Sequence, residues 1–295
     1  MNKTLSVVVP VYNEEASLPE VLPELVTFIR DNGLFLIMVN DGSRDRSLEI
    51  LHEFLDGRPD CKIVHHKVNR GYGGAIKSGI SACETDYAIT IDADGQHYLE
   101  DVLRLFEHLK TTDADMVIGS RKGSKEASVL RGVGKGIIRW IASRMMPMNI
   151  YDLNSGMKLY NTTLAKSYIR LCPDSMAYSD IIGLVFISQR HLVLEYPISI
   201  KPRTAGKSTI GVSTAFETIL EILNVVILFS PMRIFLPLSA IFVLLGLAWA
   251  IQFVLLGRGL STGASIMISV GVIFFTIGLI SEQLSELRKS MASPS

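Results

Sequence analysis

Asp92, Ala93, Asp94 and Gly95 follow directly on an apolar, β-branched run that begins at Tyr87. Such a run reads as a buried strand of a parallel sheet. Ligands of open α/β sheets collect at the carboxyl ends of the strands. Two carboxylates spaced i, i+2 at that edge repel each other and are costly to bury unless a cation sits between them. A hard divalent ion bridging carboxylate and phosphate oxygens answers that need. The pattern predicts a metal-assisted site for a phosphorylated substrate; a polar turn built from Asp and Gly is the plain alternative.

Two other strand-like runs end in polar residues. Leu5 to Val9 leads into Pro10, Val11, Tyr12, Asn13 and Glu14, and Phe35 to Asn40 leads into Asp41, Gly42 and Ser43. Three strand ends converging on one sheet edge are a stronger signal than any single motif. There Tyr12 could stack on a base and Asp41 could hold ribose hydroxyls or a base edge. Asn40 to Ser43 also suit a helix cap and turn before Ser47. Asn69 to Ile76 is glycine-rich and opens a helix, which leaves backbone N–H groups for a phosphate. Ile76 stands where a dinucleotide fingerprint needs its final glycine, and the first strand lacks any such turn, so NAD binding is rejected.

Alternating elements must position these residues. Strands are expected at Leu5–Val9, Phe35–Asn40, Lys62–His65, Tyr87–Asp92 and Asp115–Gly119, and helices at Ala16–Asp31, Ser47–Leu55, Gly74–Cys83 and Leu99–Lys110. That order predicts an α/β fold with a mostly parallel, doubly wound sheet. Lys+Arg and Asp+Glu balance at 29 each, so no global charge argues for nucleic acid. Cys61, Cys83 and Cys172 form neither a disulfide framework nor a zinc site, which fits a reducing compartment. Met1 to Thr4 lead straight into a strand, so no signal peptide is expected. The histidines, His65, His66 and His97 among them, show no metal spacing; they read as structural.

Ile234–Leu256 and Leu260–Ser281 carry no charge, and each can cross a hydrocarbon core of about 30 Å. Arg203, Lys207 and Arg233 precede the pair, Arg288 and Lys289 follow it, and only Arg258 lies between. The positive-inside rule then puts both termini and the whole N-terminal domain in the cytosol. Arg131–Met146 alternates basic residues with Ile, Trp and Met, which suits a membrane surface or a helix packed on the sheet with a solvated basic face. Val212–Ser230 reads as an interfacial helix, with Glu217, Glu221 and Asn224 on one face and Pro231 ending it. The expected layout is a catalytic domain over 1–211, an interfacial helix over 212–232, and a two-helix transmembrane hairpin over 233–295. Gly263, Gly271 and Gly278 offer small-residue faces on which a second copy could pack.

Together these motifs resemble the family-2 glycosyltransferases of GT-A fold: Val9 to Glu14, Asp41-Gly42-Ser43, Asn69-Arg70-Gly71 and Asp92-Ala93-Asp94. Gly119-Ser120-Arg121, Asp152 to Lys158, Arg203 to Ser208 and the paired spans narrow the resemblance to the polyprenyl-phosphate (dolichol-phosphate mannose synthase-like) subgroup. The resemblance implies transfer of one sugar, with inversion, from a nucleotide-sugar to a polyisoprenyl phosphate, dolichyl or undecaprenyl. GDP-mannose and UDP-glucose lead as donors. It implies a Mg²⁺ or Mn²⁺ site at Asp92, Asp94 and Gln96, and a nucleotide-sugar pocket from Pro10, Tyr12, Glu14, Asp41, Asn69, Gly71 and Asp92. Arg121, Arg131, Arg203 and Ser208 would meet the acceptor phosphate, with Asp94, Arg121, Asp152 and Arg203 as the catalytic set. The chain departs from many relatives in having Asn40-Asp41 where they have two aspartates, and Gly206-Lys207-Ser208-Thr209 where they place the lysine after the serine. A processive polysaccharide synthase would normally need more spans and a Gln-x-x-Arg-Trp motif, which Gln189-Arg190-His191 is not. A membrane-tethered nucleotide-sugar sensor has no need of the acidic pair.

Overall fold

The computed structural model describes residues 4–121, 150–201, 227, 230–257, 259 and 261–292. The basic helix expected over 131–146 and residues 212–226, 228 and 229 of the expected interfacial helix lie outside them. The chain divides into two compact units, one holding the described residues 4–121 and 150–201, the other 230–291.

In the first unit the elements run β1 (Leu5–Val11), α1 (Leu18–Asp31), β2 (Phe35–Asn40), α2 (Ser47–Leu55), β3 (Cys61–His65), α3 (Tyr72–Ala82), β4 (Tyr87–Thr90), α4 (Leu99–Thr112), β5 (Met116–Ser120), β6 (Lys158–Asn161), α5 (Thr162–Tyr168), a short 3₁₀ turn, α6 (Tyr178–Ser188) and β7 (Val193–Pro197). One seven-stranded sheet results, in the order β3-β2-β1-β4-β6-β5-β7. The strands are parallel except β6, which runs antiparallel to both β4 and β5. The βαβα alternation is as expected. β6 and β7 are not foreseen, because four or five residues without clean alternation carry no periodic signal.

Period-two alternation divides β1 between two cores. Leu5, Val7, Val9 and Val11 join α1, α2 and α4 in one apolar cluster. Val8 faces α3, where a Cβ on Gly79 would lie 2.3 Å from Val8 Cγ1. Tyr168 and Phe186 pack edge to face on that second side, with ring centroids 5.4 Å apart. β4 stops at Thr90 rather than Asp92. Continuing the Thr90↔Lys158 register would set Asp92 opposite Gly156, and there the Asp92 carboxylate occupies the space beside the glycine: a Cβ on Gly156 would lie 2.2 Å from Asp92 Oδ2.

The second unit is a helical hairpin, α7 (Met232–Leu255) and α8 (Thr262–Ala292). Gly257 and Gly259 take positive φ in the turn. Both helices are long and apolar enough to cross a membrane. Leu244, Ile251, Ile266 and Ile280 are exposed along them, so these are not core helices of a soluble unit. Gly263, Gly271 and Gly278 do not form outward faces for a second copy. They line the seam inside the hairpin, against Trp249, Val243 and Phe235. Small residues are needed there for close helix approach. We expect Gly271→Leu, which drives a side chain into Val243 and the Ser239 carbonyl, to destabilise the hairpin by about 2 kcal/mol. Thermal unfolding in detergent would read this, and the exposed Ile273→Leu should leave the midpoint unchanged.

Candidate functional site

The carboxyl ends of β1, β2 and β4 open into a cleft of about 390 Å³. Pro10, Tyr12, Glu14, Asp41, Asn69, Asp92 and Asp94 line it, together with Tyr72 and Met176, which sequence reasoning missed. Tyr12 is 43 % exposed, so its ring is available to a ligand. The loops after β1 and β2 are tied to each other: Arg44 N donates to Asn13 Oδ1 at 2.9 Å, and Asn13 N donates to Ser43 Oγ at 3.0 Å. Asn13 sits at φ 55° to make these bonds, a conformation asparagine tolerates. The Glu14 carboxylate accepts from Ser17 Oγ at 2.6 Å at the start of α1.

Asp41 is buried, and its carboxylate already has protein partners. Oδ1 accepts from His66 Nδ1 at 2.6 Å and from Arg70 N at 2.9 Å, while Oδ2 accepts from Gly71 N at 2.9 Å. The His66 Nε2 in turn meets Ser78 Oγ at 2.8 Å. Asp41 therefore fixes the Asn69–Gly71 turn as well as lining the cleft. Two of the glycine amides that follow are already taken by the protein. Gly71 N is bound to Asp41, and Gly74 N donates to Asp174 O at 3.2 Å. A Cβ on Gly71 or Gly73 would fall 2.6 Å from Asp174 O or 2.4 Å from Pro173 O. Gly71 and Gly73 are thus required for close backbone approach. Gly71 is not among the cleft residues, and its contribution is this turn.

Asp92 is held from two sides. Tyr72 donates from its hydroxyl to Oδ1 at 3.2 Å, and His97 Nε2 lies 3.5 Å from Oδ2. Desolvation pushes the Asp92 carboxyl up, but the His97 hydrogen bond and charge, the Tyr72 hydroxyl and the Lys158 ammonium outweigh it, and the group stays below the usual carboxylate value. Burial and the Asp92 charge raise Tyr72 well above an ordinary phenol. Gln96 does not line the cleft. Its N–H donates to Asp94 Oδ1 at 3.1 Å, and its carbonyl accepts from Lys201 N at 2.8 Å. His97 is buried, and it borders a second cavity of about 190 Å³ on the α1 side.

Beside Asp92 stands an ion pair. Arg121 Nε and Nη2 donate to the two oxygens of Asp152 at 2.6 and 2.8 Å, and Arg121 N donates to Asp152 Oδ2 at 3.1 Å. This bidentate geometry is the strong form of the contact. The Asp152 hydrogen bond raises the guanidinium, burial opposes it, and the charges of Asp152, Asp92 and Asp180 add to the rise. Asp152 thus orients Arg121. Lys158 lies beneath, fully buried, with its ammonium donating to the Ser155 carbonyl. Burial pulls its pKa down to about 8 against the charges of Asp180, Asp152 and Asp92. Lys158 closes the Asp152 to Lys158 motif but has no role assigned from the sequence, and Asp180 is not foreseen, because nothing in a lone Lys or Asp marks its depth. Arg131, Arg203 and Ser208 lie outside the described residues.

An unfolded chain holds the Lys158 proton to about pH 10.5 and the fold only to about 8. Between those values the unfolded state binds more protons, so raising the pH removes a penalty and favours the fold. The stability of the wild type relative to Lys158→Met should therefore rise from pH 8 to pH 10.5. A flat difference in detergent unfolding across that window would remove the ammonium from this buried site.

Residues 6–169 match the model of glycosyl transferase family 2, and residues 230–287 match the GtrB C-terminal hairpin. The undecaprenyl-phosphate 4-deoxy-4-formamido-L-arabinose transferase of Edwardsiella ictaluri is 27 % identical over 297 residues, 96 % of this chain and 89 % of that protein. The Pseudomonas fluorescens protein of the same name is 32 % identical over 209 residues, 69 % of this chain and 59 % of its own. Among solved structures, glucosyl-3-phosphoglycerate synthase from Mycobacterium tuberculosis with Mn²⁺, UDP and phosphoglyceric acid shares the fold. Its TM-score is 0.59 at 18 % identity, over 76 % of this chain and 78 % of that one. The apolar, exposed hairpin and its family match make this a membrane protein. With the family-2 match covering more than half of its length, the chain belongs to glycosyl transferase family 2, as an enzyme of GT-A fold.

Proposed function

We propose that this enzyme transfers one sugar, with inversion, from a nucleotide-sugar to a polyisoprenyl phosphate, giving a lipid-linked monosaccharide. The observation that carries the reading is the paired Asp92 and Asp94 in one cleft, with the Arg121–Asp152 pair beside them. The relatives named as undecaprenyl-phosphate sugar transferases support undecaprenyl phosphate as the first acceptor to test. The donor sugar is an open variable: GDP-mannose, UDP-glucose and a nucleotide-linked 4-deoxy-4-formamido-L-arabinose are the three to compare.

The chemistry needs little acid–base help. A lipid phosphate is already anionic at neutral pH, and its oxygen attacks the anomeric carbon as the bond to the donor diphosphate breaks. Positioning and screening of negative charge are then the main tasks. We assign Tyr12 to the base, Pro10, Glu14, Asp41 and Asn69 to the nucleoside pocket, and Arg121 to the acceptor phosphate. Arginine forks suit phosphate. Arg131, Arg203 and Ser208 stay assigned to the same phosphate by resemblance alone.

The donor set fits a hard divalent cation, Mg²⁺ or Mn²⁺. Asp92 is held below the usual carboxylate value, and both acids line the cleft. No group of three or more His, Cys, Asp or Glu side chains gathers among the described residues, so such an ion would share its coordination with the donor diphosphate. When bound it stabilises charge on the departing nucleoside diphosphate. Gln96 would join it only by turning its side chain into the cleft. We place the catalytic domain, 1–211, and both termini on the cytosolic side, with 212–232 at the interface and 233–295 as the anchor. The basic residues flanking the hairpin support this. The seam glycines do not supply a surface for a homo-oligomer, so any second copy would pack elsewhere.

Purified protein with Mn²⁺ and undecaprenyl phosphate, offered each nucleotide-sugar singly, should yield one lipid product carrying a single sugar. Longer products would point to a processive synthase. Metal-dependent nucleotide-sugar binding without turnover on any polyprenyl phosphate would point to a sensor. Asp94→Ala should lower transfer by at least about 100-fold while leaving the thermal midpoint intact; normal activity with metal present would remove it from the site. Gly156→Ala should act in the same direction as loss of Asp92, since its methyl group would occupy the place of the carboxylate. Retained transfer in that variant would show that the Asp92 geometry is not required.

A further inference from the structure

Arg121 follows β5, Asp152 stands in the loop that leads to β6, and a third element holds the pair. Glu195, at the middle of β7, lies in register with Ile118 of β5. One of its carboxylate oxygens, Oε1, accepts hydrogen bonds from Tyr151 N and Asp152 N, both at 2.7 Å. The Asp152 side chain then takes the main-chain N–H and two side-chain N–H groups of Arg121. Residues 121 and 151–152, which flank a 28-residue excursion in the sequence (122–149), are thereby fastened to each other and to the edge strand of the sheet. Charged acceptors on backbone N–H groups make strong, directional bonds. A reacting group is positioned only as well as the shell behind it.

We propose that Glu195 is a positioning residue for glycosyl transfer. It fixes the Tyr151–Asp152 main chain, which sets the Asp152 carboxylate, which aims the Arg121 guanidinium at the acceptor phosphate. The proposal rests on the assignment of Arg121 made above. Its essence is acceptance by one oxygen rather than negative charge, because Oε1 alone makes both bonds. A glutamine carbonyl oxygen can accept the same two.

The test is binding of farnesyl phosphate, a short polyprenyl phosphate, to the full chain in detergent with Mn²⁺ and UDP or GDP. It needs no knowledge of the donor sugar. Nucleotide affinity, measured alongside, reports an intact fold. Glu195→Ala should weaken farnesyl phosphate binding by about 10-fold or more and keep nucleotide affinity within about twofold. Glu195→Met keeps side-chain length if the shorter residue loosens the edge strand, and should behave as Glu195→Ala does. Glu195→Gln should stay within about threefold of wild type. In an Asp152→Ala background, Glu195→Ala should add less than about twofold. Wild-type binding in both Glu195→Ala and Glu195→Met, with Arg121→Ala impaired, would overturn the proposal alone. So would Glu195→Gln as impaired as Glu195→Ala, additive losses in the double variant, or equal losses of nucleotide and lipid phosphate. Wild-type binding by Arg121→Ala would instead overturn the assignment on which the proposal stands.

Discussion

Lys158 is fully buried at the start of β6, and the acids of the site are arranged around it. Asp180, Asp152 and Asp92 all act on its ammonium, and Arg121 stands beyond. Carboxylates brought together at one sheet edge repel, and in a partly dehydrated site that repulsion is large. An ammonium beneath them lowers that cost before any ligand arrives. The burial that draws Lys158 down to about 8 and the anions that hold it up are two sides of one compromise. Without the lysine the same acids would be left with less compensation, and removing one partner of a buried charge cluster is the expensive change.

The antiparallel strand makes this cluster. Had β5 followed β4 directly, as in a wholly parallel sheet, the Asp152–Gly156 loop would have no place beside Asp92. Inserting β6 between them brings Lys158 opposite Thr90 and Gly156 opposite Asp92. Residues far apart in sequence then share one floor: Asp92 just after β4, Arg121 just after β5, Asp152 on the approach to β6 and Lys158 at its start. β7 closes the edge, and its Glu195 reaches back to the same loop.

Much of this was legible beforehand, for reasons specific to each residue. β2 and α2 fall where expected, β2 because it is a continuous apolar run ended by polar residues and α2 because it has an apolar face. The convergence of Pro10, Tyr12, Asp41, Asp92 and Asp94 follows from a rule about strand ends that needs no side-chain detail. What stayed hidden depended on pairing between distant segments. Lys158-Leu159-Tyr160-Asn161 is too short to announce a strand. Tyr72 reads as a helix start, although its hydroxyl serves Asp92. Glu195 looks like an ordinary surface charge until the sheet register is known, and the Asp152 to Lys158 motif does not say that its lysine is buried. Gly71 and Gly73 misled in the other direction: the composition of an anion cradle is also that of a tight backbone crossing, and only the position of Pro173 and Asp174 decides between them.

That last distinction bears on how a diphosphate can be held. Folds of this general class have two means of neutralising it: amide N–H groups at a glycine-rich helix start, or side chains and a cation. Here Gly71 N is bound to Asp41 and Gly74 N to Asp174 O, so those amides are committed to the protein's own anchors. The cleft instead presents Asp92 and Asp94, which are themselves negative and would repel a diphosphate. Lys158 and Arg121 compensate such an acidic pair in part, and a divalent cation between it and an anionic substrate does so most directly. The commitment of the Gly71 and Gly74 amides therefore adds to the case for a metal that the Asp92 and Asp94 pair already makes.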